Sequence, residues 1–104
     1  MSVLLELSMF PLDRGTSLSV DVAPLVALIR DSGVPYRLTA MGTIVETESL
    51  EQALDLVARC HARLRDDGCE RIYAAVTIDS RSGPAGRLTG KVESVAARLG
   101  AAPT

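Results

Sequence analysis

Residues 3–10 alternate at a spacing of two, with Val3, Leu5, Leu7 and Met9 on one side and Leu4, Glu6, Ser8 and Phe10 on the other. That period predicts a half-buried strand, closed by Pro11, which has no N–H to give to a ladder. A polar loop through Asp13, Arg14 and Gly15 follows. Val22, Leu25, Val26 and Ile29 then recur at helical spacing. Ser19 or Asp21 is expected to cap this helix, and Pro24 favours the later start because proline is tolerated only in the first turn. Gly33 and Pro35 close it. Residues 36–47 read as two short strands hinged at Gly42. Ser49 and Gln52 form a capping-box signature for a second helix, expected to bury Leu50, Ala53, Leu54, Val57 and Leu64 and to stop at Gly68. Residues 71–79 predict a fourth strand with Ile72, Ala74, Val76 and Ile78 on one face. After a turn at 80–84, Leu88, Val92, Val95 and Leu99 form the stripe of a last helix ending at Gly100.

The order β-α-β-β-α-β-α places two right-handed crossovers around a central hairpin. The predicted class is α+β: one ferredoxin-like βαββαβ sandwich spanning residues 1–104, with a four-stranded antiparallel sheet and an additional C-terminal helix. Both long helices cover one face. The other carries Leu4, Glu6, Ser8, Phe10, Tyr73, Ala75, Thr77 and Asp79, too apolar to be simply wet and too polar to be simply core. Self-association is the natural outcome.

Composition narrows the partners. The 104 residues are 47% hydrophobic but only 3% aromatic, so the core is aliphatic. A formal charge of −2 with interspersed signs argues against a nucleic-acid backbone as partner. No run approaches the ~20 apolar residues of a membrane span, and the first residues lack the pattern of a leader, so a cytoplasmic location is expected. Cys60 and Cys69 fit that compartment as ordinary thiols.

Candidate chemistry is sparse. His61, the single histidine, falls beside the apolar stripe of the second helix with no ligand-spaced partners, and is expected to be partly buried and structural. No Gly-x-Ser-x-Gly elbow activates a serine. Ser17 and Ser19 read equally as helix caps or as hydrogen-bonding groups at the helix start.

The stretch Tyr36-Arg37-Leu38-Thr39-Ala40-Met41-Gly42-Thr43-Ile44-Val45-Glu46, with Glu6, Pro11, Ser17-x-Ser19, Ser32-Gly33 and Ile78-Asp79-x-Arg81, resembles a family of small ferredoxin-like proteins that bind thiamine or its hydroxymethylpyrimidine half. The pattern departs from the family at Thr77, where a lysine is common, and at Thr47, where a glycine is. The resemblance implies a non-catalytic small-molecule binder acting as carrier, buffer or sensor, with no cofactor beyond the bound ligand, assembled as a dimer of dimers. Thiamine joins a thiazolium cation to an aminopyrimidine, so a site needs carboxylates, paired hydrogen-bonding groups and an apolar wall. Glu6, Glu46 and Asp79 are the candidate charges; Ser17, Ser19, Thr39 and Thr43 the hydroxyls; Tyr36, Leu38 and Met41 the wall.

Three rivals share the topology, since fold alone does not set function. An acylphosphatase-like hydrolase would want an amide side chain to position water, but the chain has no asparagine and only Gln52. An RNA-binding module would want stacking aromatics on a basic sheet, and only Phe10, Tyr36 and Tyr73 are present. The third is a ligand-free structural oligomer.

Overall fold

The computed structural model describes residues 1–15 and 18–100. Its elements are β1 (Ser2–Pro11), α1 (Ser19–Asp31), β2 (Tyr36–Leu38), β3 (Thr43–Thr47), α2 (Leu50–Asp66), β4 (Ile72–Arg81) and α3 (Arg87–Leu99). The four strands form one antiparallel sheet in the order β2-β3-β1-β4, the ferredoxin-like arrangement that the sequence pattern predicts. Val3, Leu5, Leu7 and Met9 are buried under α1 and α2, and Leu4, Glu6, Ser8 and Phe10 are half-buried on the opposite face, as the alternation requires. Pro11 is itself the last rung of β1, opposite Ile72.

The start of α1 differs from expectation. Neither Ser19 nor Asp21 caps it: Leu18 occupies the cap position, already in helical conformation, and no side chain accepts a hydrogen bond there. The backbone N–H groups of Asp21 and Val22 donate to the Leu18 carbonyl instead. A serine caps only from an extended residue whose hydroxyl reaches forward; Ser19 lies one position too late. Pro24 consequently sits inside the helix, and the hydrogen bond it cannot donate is lost near the exposed Val20.

The second helix also turns differently. Its buried stripe is Ala53, Leu56, Cys60 and Leu64, whereas Leu50 and Leu54 are exposed. The cap does form: the Gln52 N–H donates to Ser49 Oγ at 3.1 Å, while Gln52 Oε1 accepts from the N–H of Glu48. With Cys60 facing the core, the next residue points about 100° away, and His61 is exposed rather than partly buried. His61→Leu is therefore expected to change stability by no more than about 0.5 kcal/mol in chemical denaturation; a larger loss would mean that the histidine packs. Burial pushes the Cys60 thiol up to about 11, so it is an inert filler of the core.

The last helix is the feature that the sheet's outer face does not advertise. α3 rests its first turn on that face and leaves Val92, Val95 and Leu99 exposed. The described residues have a radius of gyration of 15.0 Å and extents of 46 × 29 × 21 Å. A compact domain of this length has a radius near 13 Å. The protomer is elongated.

Candidate functional site

The β2–β3 turn is built by Thr39. Its backbone N–H donates to the Gly42 carbonyl at 2.9 Å, its hydroxyl donates to the same oxygen, and Oγ1 accepts from the N–H groups of Met41 and Gly42. That hydroxyl is thus committed to the turn. Gly42 presses against β1: a Cβ built there would meet the Leu7 carbonyl oxygen at 2.8 Å and Glu6 Cγ at 3.4 Å. Its absence of a side chain lets the turn fold onto the strand.

Behind this turn, between α1 and the sheet, lies a cavity of about 180 Å³. Leu7 and Met9 form its floor, Val22, Leu25, Val26 and Ile29 its helical wall, and residues 38–43 its mouth; none of its lining residues is charged. Thr43 is the polar feature of the interior. It sits opposite Leu7 on the helix-covered side and is only 6% exposed. Thr43 lines the cavity beside Leu7, Leu25 and Ile29, so it brings a hydroxyl-bearing side chain to an otherwise aliphatic stretch of wall. A groove lined by Ser19, Ala23, Arg30 and Tyr36 shares Val22, Val26 and Leu38 with the cavity and continues it along α1. Tyr36, Leu38 and Met41 line this surface and stand exposed, Met41 at 78% on the lip.

The structure therefore brings together Ser19, Tyr36, Leu38, Thr39, Met41 and Thr43. Ser17 lies outside the described residues. Glu46 and Asp79 are elsewhere. Register places both opposite Leu4, on the outer face of the sheet. Glu46, 5% exposed, accepts from the Ser2 hydroxyl and from the backbone N–H groups of Gly86 and Arg87 at 3.0–3.2 Å, so its carboxylate caps α3. Burial alone would raise its pKa, but the Ser2 hydroxyl and the Arg87, Gly86 and Leu88 N–H groups outweigh that and hold the carboxyl below its ordinary value. Arg87 completes the knot. Its Nε donates to Ser2 Oγ, Nη2 to the carbonyls of Ser2 and Asp79, and Nη1 to Asp79 Oδ2 at 3.0 Å. The remaining candidate charge, Glu6, is half-buried on the same outer face, across the sheet from the cavity.

The sequence pattern assigns Leu7, Met9, Val22, Leu25, Val26 and Ile29 to the core alone; their apolar spacing carries no sign that a cavity opens among them. Ser2 and Arg87 give no signal in the sequence because their partners are distant along the chain. The separation of Thr43 from Glu46 has a signal, however: an odd offset on one strand puts two side chains on opposite faces.

A family model described as thiamine-binding protein matches residues 5–96. The chain is 35% identical over 95 residues to a UPF0045 protein of Methanothermobacter thermautotrophicus, covering 90% of this chain and 96% of the relative. A solved domain of unknown function from Bacillus cereus is 26% identical with a TM-score of 0.75, over 88% of this chain and 86% of that one. A candidate thiamine biosynthesis/salvage protein from Thermotoga maritima, 22% identical, superposes with a TM-score of 0.76 over 91% and 99% of the two chains, which establishes a shared fold.

Proposed function

The chain belongs to the thiamine-binding protein family, and from that membership we propose that it binds the hydroxymethylpyrimidine ring, free or as part of thiamine, without turning it over. The observation that carries this reading is a buried threonine, Thr43, in the lining of a cavity that has no charged residue. At about 180 Å³ the cavity is smaller than the ~300 Å³ at which drug-sized pockets begin. One flat heteroaromatic ring suits it better than the two-ring vitamin. Apolar walls take the ring faces, and the threonine hydroxyl serves one polar edge as donor or acceptor. With no carboxylate in its lining, the cavity offers nothing to a thiazolium cation, so that half of thiamine stays toward the groove and solvent.

Such a protein carries, buffers or senses its ligand. The ligand is its only cofactor-like partner in this reading, and the assembly is a homo-oligomer, built as a dimer of dimers. The exposed apolar stripe of α3 and the elongated protomer support association. Among the described residues no helix is long and apolar enough to cross a membrane. The two free, buried cysteines suit the reducing cytoplasm.

Calorimetric titration tests the site. Thr43→Val keeps shape and deletes the hydroxyl, and is expected to weaken hydroxymethylpyrimidine by about 1–3 kcal/mol, roughly 5- to 150-fold in Kd. Thiamine should lose the same factor, because the same half is held. Undiminished binding by the variant would move the site elsewhere. Loss for thiamine alone would place the thiazolium, rather than the pyrimidine, at Thr43.

A further inference from the structure

The cavity does not end at the β2–β3 turn. It runs into the groove along α1 through the residues that the two share, Val22, Val26 and Leu38. Ala23, Ala27 and Arg30 join Val22 and Val26 at helical spacing, so one face of α1 forms a bank of the groove, with Tyr36 and Leu38 of β2 opposite. The two alanines are short enough to leave a trough of about 350 Å³. That is room for a phosphate or for a second small ring, so charge rather than size decides what continues from a ring bound in the cavity.

Among the described residues Arg30 is the one charged side chain in this lining. Its Nε donates to Asp31 Oδ1 at 3.0 Å, and no described carboxylate engages its two terminal nitrogens. Both members of that pair are well exposed, an arrangement in which an ion pair contributes little. Asp31 lines a neighbouring groove with Pro24 and Leu28, not this one. Arg30 follows Val26 by one turn, and a long helical side chain covers the turn before its own Cα. Its charge is therefore within a turn of the lining where groove and cavity meet.

We infer that the groove selects a phosphate monoester on the bound ring, so that the preferred ligand is hydroxymethylpyrimidine phosphate, ring in the cavity and phosphate on Arg30. This rests on the ring-binding reading proposed above and adds the group that discriminates among its ligands. A phosphate monoester carries a charge of about −1.5 to −2 at neutral pH and three acceptor oxygens. A guanidinium presents paired N–H donors that match them. Thiamine brings the opposite charge to the same place. Its thiazolium would face Arg30 with no carboxylate in the lining to offset the repulsion, and a tyrosine ring attracts a cation only weakly at an exposed site. The chain as a whole stands at −2 and repels an anion, so the preference has to come from this one residue at short range.

Calorimetric titration of three ligands at low salt tests the inference. The native chain is expected to bind the phosphate monoester about tenfold more tightly than free hydroxymethylpyrimidine, the lower value for hydrogen bonding to a charged group. Thiamine should bind more weakly than either. Arg30→Gln, which keeps most of the length and removes the charge, should bring the ester down to the affinity of the free alcohol. Arg98→Gln removes the same charge from an exposed position on α3 and should leave the gap intact. Added salt should shrink the gap in the native chain without moving the Kd of the uncharged alcohol. A bound alcohol over which the ester has no advantage, an advantage that survives Arg30→Gln, or thiamine bound as tightly as the ester overturns the groove inference and leaves the ring reading in place. Failure of all three ligands to bind overturns both.

Discussion

Glu46→Gln is expected to detach α3 from the sheet. The carboxylate ties β3 to β1 and to the first turn of α3, through Ser2 and the N–H groups of Gly86 and Arg87. An amide in its place loses the charge and turns an N–H₂ group toward donors. The expected cost is about 3 kcal/mol, the upper value for hydrogen bonding to a charged group, with new protease sensitivity between β4 and α3. Acid should do the same to the native chain. Because the folded carboxyl titrates below its ordinary value of 4.5, its contribution is complete above that pH and disappears as pH falls through the lowered value. The acid limb of a stability–pH curve should therefore be shallower in Glu46→Gln. Hydroxymethylpyrimidine binding by variant protein that remains folded should be unaltered, since the cavity lies across the sheet. A variant with native α3 protection and wild-type acid response would show that the carboxylate contributes nothing to the docking.

Gly42→Ala should be the most costly single methyl in the β2–β3 turn. Its Cβ would stand 2.8 Å from a backbone oxygen of β1, and backbone cannot rotate aside as a side-chain tip can. Either the turn lifts or the strand bows. Overpacking of this kind costs about 1–3 kcal/mol, and for a domain of this size each kcal/mol lowers Tm by roughly 4–8 °C. A lifted turn also opens the cavity mouth and moves Met41 and Thr43, so ligand affinity should fall along with Tm. Thermal melts with and without hydroxymethylpyrimidine measure both. An unchanged melting point would show that the contact yields freely.

How much of this could be read without coordinates follows from the range of each interaction. The alternation of residues 3–10 and the hinge at Gly42 announce strands because their period is local, and one face of β1 is buried as that period demands. The order of elements then leaves few topologies, and the observed β2-β3-β1-β4 sheet is the expected one. Local pattern failed where two stripes were possible. On α2 the expected stripe takes in Leu50 and Leu54 and passes over Leu56 and Cys60, whereas the packed helix is rotated to bury the second pair and expose the first. At the start of α1, Ser19 has the chemistry of a cap, but Leu18 is already helical, so the hydroxyl is left to the groove.

The candidate site divides along the same line. Thr39, Met41, Gly42 and Thr43 are neighbours in sequence, and their grouping around a turn was determined by the sequence itself. Glu46 looked like a member because it is three residues on, yet a strand sends it to the other face, where Gly86 and Arg87, about forty residues away, take up its charge. Hydrogen bonds across that separation have no signature in the chain, because any carboxylate and any helix start would read alike. The cavity behind Thr43 is equally silent, since apolar residues that touch and apolar residues that leave about 180 Å³ between them have the same spacing. Periodicity says which way a side chain points; only packing in three dimensions says what it meets there.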